Sequence, residues 1–368
     1  MNKAASLFIV NKALPDSDYR LDYGARSQVC EVFYGLPERS AQPPAERFVR
    51  LGFEESLHPG VIAALWDLHR YLRRRRGRLA FVHFYTTNPI LLGPIVARLA
   101  GVPCVITFTG FGRVMSSTDR KYTLVRPLYS LLLRHAIRAA RLVLFQNKAD
   151  HARLSRAYPG AAHKFHYVGS TSGMAVTGDK DFSTPALTVL LATRLMPEKG
   201  VPDFIAVARE LHGPRFRFRL AGPASRGHEG LHQEVLAAAQ EGVIEYDGNL
   251  ESPAMEAALG QAHILLFPSY YGEGLSRLML EAGYARLCPV AYNIPSNRDL
   301  VAEGGGFLVE PGDRQQIILI LSSLADDRAL AAGHAAGYQA HVLQHYGRQQ
   351  YAERLDNLFR VMLSKLDS

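Results

Sequence analysis

Two cations follow an apolar run in the second half of the chain. The run LTVLLAT at 187–193 is followed by Arg194, and Lys199 lies just before the next helical pattern. In a parallel sheet, such a loop presents a helix N-terminus whose amide groups and dipole favour an anion. Arginine binds phosphate oxygens with a planar fork, and lysine adds a point charge. The pattern therefore indicates an anion site, although two incidental cations in a solvated loop would share it.

A glycine-rich loop and two carboxylates form a second group. The run HILLFPS is followed by Gly272, Glu273 and Gly274, and Glu281 lies in the apolar segment LMLEAGYA. Glycine lets a backbone approach a ligand closely. A carboxylate in an apolar segment needs a partner, because an unpaired buried charge is costly. Either the hydroxyl groups of a ligand or Arg277, one helical turn earlier, would supply that partner.

These loops belong to a chain that alternates strand and helix patterns almost throughout, which is typical of an α/β fold with parallel sheets. Strands are predicted at 6–10, 29–36, 79–86, 103–110, 141–147, 187–193, 215–222, 243–248, 263–269, 289–293 and 307–311. Helices are predicted at about 59–76, 88–101, 122–140, 202–211, 228–240, 253–260, 275–285, 313–325 and 347–366.

The alternation stops at GSTSGMAVTGDKDFSTP, whose Gly, Ser and Thr content is typical of a linker. The predicted organisation is a Rossmann-like domain at 1–168, a linker at 169–185, a second Rossmann-like domain at 186–346, and a final helix at 347–368 that returns to the first domain. Two such sheets would face each other across a cleft, and ligands of open parallel sheets bind beyond the C-terminal strand ends.

Charge divides the chain into two unlike parts. Residues 1–170 carry 25 Lys and Arg against 11 Asp and Glu, whereas the remainder carries 17 against 23. A basic field favours anionic partners such as diphosphates, anionic lipid or nucleic acid. No apolar run approaches the roughly 18 residues that span a bilayer, and the three cysteines are too far apart for a metal cluster. We therefore expect a cytoplasmic protein with buried reduced thiols.

The two groups of residues together carry a resemblance to a known family. The run RLMPEKGV, followed by FPSYYGEGLSRLMLEAGYARLCPVA, resembles the donor-site signature of the retaining family 4 glycosyltransferases of GT-B fold. Glu273 and Glu281 match its E-x7-E pair. The similarity extends over about 140–310.

The resemblance implies a role for each matching residue. Arg194 and Lys199 would hold the diphosphate of a nucleotide sugar, Glu281 would bind the ribose hydroxyls, and Glu273 would contact the transferred sugar. The departing diphosphate would be stabilised by these cations and by helix ends, without a metal or another cofactor. The other donor-binding residues that the resemblance implies are Gly274, Leu275 and Ser276.

The first half resembles family members that glycosylate polyprenyl-diphosphate-linked sugars. The segment VITFTGFG places Thr109, Gly110, Phe111 and Gly112 after a strand, as an acceptor-side loop. Many family members have a sugar-binding histidine where this chain has Thr109. His83, at the preceding strand end, would be a substitute for that histidine, or else a core residue.

An arginine cluster ends the predicted helix at 59–76. The cluster consists of Arg73, Arg74, Arg75 and Arg76. Cations are typical of a solvated helix C-terminus, where they complement the helix dipole. Alternatively, the cluster would contact an anionic membrane surface. No recognised nucleic-acid-binding module accompanies these arginines, so nucleic acid is not the expected partner.

The sequence therefore predicts a retaining, metal-independent hexosyltransferase that works on the inner face of the membrane. It would transfer a sugar, with UDP the expected carrier, to a lipid-diphosphate-linked saccharide in surface polysaccharide or glycan assembly. Two alternatives stay open. One is a catalytically silent GT-B partner subunit, because the first strand is followed by NKALPDSDY and not by the family's glycine-rich loop. The other is a nucleotide-sugar epimerase on the same fold.

Overall fold

The structure, a computed structural model, describes residues 3–10, 14, 18–37, 47–51, 60–110, 120–270, 274–301 and 305–366. These residues form two compact units. The first contains the described residues up to 170, together with 274–275 and 348–366. The second contains the described residues of 171–270 and 276–347.

The first unit is built on a seven-stranded parallel sheet with the order β3-β2-β1-β4-β5-β6-β7. Its strands are β1 (Ala4–Ile9), β2 (Cys30–Leu36), β3 (Phe48–Arg50), β4 (Phe81–Tyr85), β5 (Cys104–Phe108), β6 (Leu142–Phe145) and β7 (Phe165–Tyr167). The central strands are buried on both faces, as expected for a parallel sheet that is covered by helices.

Helices cover both faces of this sheet. They are α1 (Tyr19–Arg26), α2 (Val61–Arg74), α3 (Thr87–Ala100), α4 (Arg120–Ala139), α5 (Lys148–Ala157) and α13 (Arg348–Ser364), with a short 3-10 helix at Pro159–Lys164. Helices α2, α3 and α4 pack side by side over one core, whereas α1 and α13 pack over the other.

A buried carboxylate fixes α13 to the first unit. Asp356 accepts hydrogen bonds from the Tyr23 hydroxyl at 2.8 Å, the Ser27 hydroxyl at 2.6 Å and the Gln28 amide at 2.7 Å. Its side chain is buried, and Phe359 lies one turn further along the same core. The last described helix therefore completes the core of the unit in which the chain begins.

The second unit has a six-stranded parallel sheet with the order β10-β9-β8-β11-β12-β13. Its strands are β8 (Leu187–Ala192), β9 (Phe216–Ala221), β10 (Glu245–Tyr246), β11 (Ile264–Phe267), β12 (Cys288–Tyr292) and β13 (Phe307–Val309). Its helices are α6 (Val201–Glu210), α7 (Glu229–Gln240), α8 (Ser252–Gln261), α9 (Arg277–Tyr284), α10 (Pro295–Val301), α11 (Arg314–Asp326) and α12 (Arg328–Tyr346).

The predicted α/β class with two Rossmann-like parallel sheets is confirmed. Several elements of the structure were not predicted from the sequence, namely β3, β7, α1, α5, α10 and α12. Residues 168–186 contain no helix or strand. Cys30, Cys104 and Cys288 are buried free thiols. Over the described ranges, no helix combines the length and the apolar character that crossing a bilayer would require.

Replacing Asp356 with alanine should destabilise the protein by about 2–4 kcal/mol, because buried donors of Tyr23 and Ser27 would lose their acceptor. Urea unfolding measures the change. Asn357→Ala is the matched control, since Asn357 is exposed on the same helix and should change stability little. Equal stabilities of the two variants would show that the Asp356 network does not fix α13.

Candidate functional site

The strand order of the second unit reverses between β8 and β11. From β8 the chain runs outward through β9 and β10, and from β11 it runs the other way through β12 and β13. Loops that leave neighbouring strands at such a switch point separate and leave a crevice at the C-terminal edge. The Arg194–Lys199 loop follows β8, and the loop that ends at Ser276 follows β11. Both predicted donor loops therefore lie at the switch point of one sheet.

The loop after β8 is held by its apolar residues and its backbone. Leu195 is fully buried, and its amide donates to the Pro223 carbonyl at 3.0 Å. Arg194, its neighbour, is exposed. Lys199 is largely buried in a short 3-10 helix, and its amide donates to the Met196 carbonyl at 3.1 Å. The loop thus presents one cation to solvent and holds the other against the protein.

A close backbone approach joins the two loops. Gly200 has φ +76°, and a Cβ atom there would lie 2.0 Å from the Pro268 carbonyl oxygen. Only glycine combines that left-handed conformation with that contact. The Tyr270 amide donates to the Glu198 carbonyl at 3.1 Å, which ties the loop after β11 to the loop after β8. Gly200 therefore sets the distance between the two predicted donor loops.

Glu281 pairs within its own helix. The Arg277 guanidinium donates to a Glu281 carboxylate oxygen at 2.6 Å, which is the intrahelical partner that the sequence left open. Glu281 is largely buried, whereas Arg277 is 40% exposed. Ser276 is buried at the N-cap of α9, and Leu275 before it is buried too. The ion pair fixes where the Glu281 carboxylate lies on α9.

Gly274 contacts the loop that follows β5. Its amide donates to the Thr109 carbonyl at 3.0 Å, and a Cβ atom at this position would lie 2.6 Å from that oxygen. Gly110, the next residue, has φ +112°. A phosphate oxygen that used the Gly274 amide would therefore have to replace the Thr109 carbonyl. Glu273, Phe111 and Gly112 lie outside the described residues.

His83 belongs to the core, which is the second of the two interpretations that the sequence left open. Its side chain is fully buried, and Nε2 is 2.7 Å from the Thr107 hydroxyl. The ring packs against Phe8 and Tyr85 at centroid distances of 4.7 and 4.2 Å. Burial, and secondarily the charge of Arg20, holds the pKa of His83 well below its usual range. A neutral buried imidazole has no surface with which to touch a sugar.

The switch point of the first sheet carries features that the sequence analysis missed. The strand order reverses between β1 and β4, and Thr86 directly follows β4 with φ +66°. A β-branched residue rarely adopts this conformation, which costs on the order of 1–3 kcal/mol. Asp18 and Arg20 form a buried ion pair at 2.6 Å beyond β1. Thr86 is the last residue of the strand predicted at 79–86, so its position at a strand end could be read from the sequence. Nothing in its residue type predicts the positive φ of its backbone.

A second missed group lies at the start of α6. Asp203 is buried and accepts hydrogen bonds from the Arg314 guanidinium at 2.6 Å and the Tyr292 hydroxyl at 2.7 Å. Burial, and then the bond to Asp203, raises the pKa of Tyr292. The carboxylate also complements the positive end of the α6 dipole. Asp203 therefore stabilises the helix that begins at Gly200.

The arginine cluster lies at the far end of α2 from the loops that follow the strands. Arg73, Arg74, Arg75 and Arg76 are all exposed. The Arg75 guanidinium stacks over the Tyr71 ring at 4.9 Å. Within the part of the chain that the structure describes, no three His, Cys, Asp or Glu side chains are grouped so that they could hold a metal ion.

Two family models match this chain, one in each half. Residues 21–170 match the model for a glycosyl transferase 4-like domain. Residues 179–341 match the model for glycosyl transferases group 1. The first match covers most of the sheet of the first unit, and the second covers both loops at the switch point of the second unit.

Individual relatives agree with these matches. A 2-deoxystreptamine glucosyltransferase of Streptomyces kanamyceticus is 27% identical over 90% of this chain and 97% of its own length. A sucrose-phosphate synthase of Thermosynechococcus elongatus superposes with a TM-score of 0.79 at 13% identity, over 99% of this chain and 100% of that one. Anabaena HepE in complex with UDP and glucose superposes with a TM-score of 0.75 at 18% identity, over 96% of this chain and 99% of that one. At these identities the two structures establish a shared fold.

Replacing Gly200 with alanine should cost about 2 kcal/mol or more, because the methyl group would meet the Pro268 carbonyl in addition to straining the backbone. Gly242→Ala is a matched control, since Gly242 has φ +73° and nothing within 4 Å of its would-be Cβ. Denaturant unfolding of both variants isolates the clash. If both lose the same stability, the contact with Pro268 does not constrain the loops.

His83 should make stability fall at acidic pH. The unfolded chain protonates this histidine near pH 6.5, whereas the folded protein keeps it neutral, so acid favours unfolding. From pH 7.5 to 5.5, the wild type should lose about 1.4 kcal/mol more than His83→Gln, which does not titrate. Urea unfolding at both pH values measures the difference. A His83→Gln protein that is stable but has lost acceptor-dependent activity would restore the acceptor-side role.

Proposed function

We propose that this chain transfers a hexose from a UDP-sugar with retention of configuration. The premise is that it is a glycosyltransferase of GT-B fold that uses a nucleotide sugar. Its two family matches, a glycosyl transferase 4-like domain followed by a glycosyl transferases group 1 domain, support that premise. The acceptor is a saccharide on a lipid diphosphate, and the reaction requires no metal. The product serves surface polysaccharide or glycan assembly on the inner face of the membrane.

The observation that carries this proposal is the pair of cations at the switch point of the second sheet. Arg194 is exposed in the loop after β8, and Lys199 lies five residues further along the same loop. When the glycosidic C–O bond breaks, its electron pair passes to the diphosphate, where negative charge grows. Arg194 and Lys199 stabilise that charge, and positioned cations do so more effectively in a site that excludes water. UDP in the HepE complexes supports a UDP carrier.

The carboxylates act on hydroxyl groups. Glu281 binds the ribose of the nucleotide, and the ion pair with Arg277 holds its carboxylate in place. Glu273 contacts the transferred sugar. Leu275 and Ser276 approach the diphosphate through their backbone, since both precede the first turn of α9, whose dipole favours an anion.

The first unit binds the acceptor. Thr109 and Gly110 follow β5 at the C-terminal edge of the first sheet, where ligands of parallel sheets bind. Phe111 and Gly112 continue that loop in the sequence. The exposed arginines Arg73–Arg76 contact anionic lipid, which brings the enzyme to an acceptor that resides in a membrane.

Replacing Arg194 or Lys199 with alanine should lower kcat by about 100-fold or more, because each removes charge stabilisation from the departing diphosphate. Sugar transfer to a polyprenyl-diphosphate-linked saccharide and to free 2-deoxystreptamine measures the effect and compares acceptor classes. Arg209→Ala is the control, since Arg209 is exposed at the other end of α6. Near-wild-type transfer by Arg194→Ala and Lys199→Ala would refute the donor-site assignment. If the wild type transfers sugar to free 2-deoxystreptamine and not to the lipid-linked saccharide, the proposed acceptor is wrong.

Replacing Glu281 with alanine should weaken UDP binding by about tenfold, since two ribose hydroxyls would lose a charged acceptor. Isothermal titration with UDP measures this affinity. Glu241→Ala, at an exposed carboxylate at the end of α7, should leave the affinity unchanged. An unchanged affinity in Glu281→Ala would show that the carboxylate serves only its ion pair with Arg277.

A further inference from the structure

Helix α4 exposes a stripe of leucines. Leu124, Leu128 and Leu131 are 82%, 57% and 52% exposed, and their spacing puts them on one side of the helix. The opposite side of α4 packs into the core through Leu133 and Ile137. The exposed leucines therefore contribute little to folding of the first unit.

Helix α2 repeats this arrangement. Ile62 and Trp66 are 75% and 62% exposed and lie one turn apart, whereas Leu68 and Leu72 pack into the same core as α4. Trp66 is the only tryptophan of the chain. Tryptophan is the side chain that suits an interface between water and an apolar phase, because its ring is apolar and its N–H is polar.

Both stripes become basic toward the C-terminal end of their helix. On α2 the exposed residues that follow Trp66 include Arg70 and Arg73, and on α4 those that follow Leu131 include Arg134 and Arg138. Helices α2, α3 and α4 hold three, one and four arginines, and their one acidic residue is Asp67. We call the exposed residues of α2 and α4 the outer face.

The topology places the apolar half of the outer face beside the acceptor loop. Helices α2, α3 and α4 connect parallel strands, so they run antiparallel to the strands and begin at the C-terminal edge of the sheet. Ile62, Trp66 and Leu124 therefore lie toward the edge at which Thr109 and Gly110 follow β5. The arginine-rich half lies toward the opposite edge.

We propose that the outer face docks on an anionic lipid bilayer. Its leucines, Ile62 and Trp66 enter the boundary between headgroups and acyl chains, and its arginines bind lipid phosphates. The inference rests on the proposed function, in which a lipid carries the acceptor. It extends the membrane contact from Arg73–Arg76 to an apolar surface at the edge that bears the acceptor loop.

Charge favours a bilayer over a second copy of this chain. A symmetric dimer through the outer face would bring the same arginine-rich surface to both sides of the interface, where like charges repel. An anionic bilayer instead offers phosphate to the arginines and an apolar interior to the leucines. Both halves of the outer face then have a complementary partner.

Trp66 makes the proposal directly measurable, since its fluorescence is the only tryptophan signal of the whole protein. With vesicles of equal parts phosphatidylcholine and phosphatidylglycerol, we expect its emission to shift to shorter wavelength and to be quenched by brominated acyl chains. Vesicles of phosphatidylcholine alone should bind less. Emission that stays unchanged with the anionic vesicles at low ionic strength would overturn the proposal.

Leu124→Gln/Leu128→Gln should lower the vesicle partition coefficient by at least about tenfold in flotation assays. The matched control is Leu319→Gln/Leu330→Gln, which changes two leucines of the second unit that are 56% and 36% exposed. Equal partition of the two double variants would overturn the proposal. The proposal would also be overturned if the wild-type protein does not bind vesicles but sediments as a dimer, and if Leu124→Gln/Leu128→Gln dissociates that dimer.

Failure of this inference and failure of the proposed function give different results. UDP affinity depends on the second unit, so Leu124→Gln/Leu128→Gln should keep wild-type affinity for UDP. Transfer to an acceptor dispersed in detergent should also stay unchanged, whereas transfer to the same acceptor in anionic vesicles should fall. Loss of both transfers would mean that the leucines support folding or acceptor binding and not docking.

Discussion

The approach of Gly200 to the Pro268 carbonyl constrains everything that the second unit presents at its switch point. It brings the loop after β8 against the loop after β11, so the spacing of the cations relative to α9 is set by backbone and not by flexible side chains. Asp203 stabilises this arrangement, because its hydrogen bonds with Tyr292 and Arg314 hold the first turn of α6 in place. A site for diphosphate needs such rigidity, since charge stabilisation depends on donors that are already in position.

The two halves of the chain differ in charge. The first half of the chain is strongly basic and the second is mildly acidic overall. The second unit nevertheless concentrates two cations in one loop, so in the proposed donor site local placement, and not net charge, would select the nucleotide. In the first unit the excess of arginine is spread along helices, which suits an extended anionic surface better than a small ligand. In the function and the docking that we propose, the same attraction between cations and phosphate operates at two length scales.

Strand and helix periodicity was enough to predict both parallel sheets, because buried parallel strands are nearly continuous apolar runs. Helix α12 was not predicted because Gly333 and Gly337 weaken its helical pattern. Small residues are needed where α9 packs on α12, since a Cβ atom at Gly283 of α9 would lie 2.6 Å from the Val342 side chain. Motif spacing identified Arg194, Lys199 and Glu281 as candidate site residues, but it left open the partner of Glu281 and the environment of His83. The environment of His83 depends on tertiary contacts, which a single sequence does not encode locally. The sequence spacing allowed Glu281 either a ligand or Arg277 as its partner, and the structure pairs it with Arg277 on the same helix.

The packing of α13 on the first sheet affects the order in which the protein can fold during synthesis. Tyr351, Leu355 and Phe359 cover one face of that sheet, yet the ribosome adds them after the entire second unit. The strands that emerge first must wait with an apolar face exposed, while the second unit has all of its residues earlier. Chains of several domains usually fold from the N-terminus onward. Here the second unit can complete its fold before the first unit, because the first unit receives α13 last.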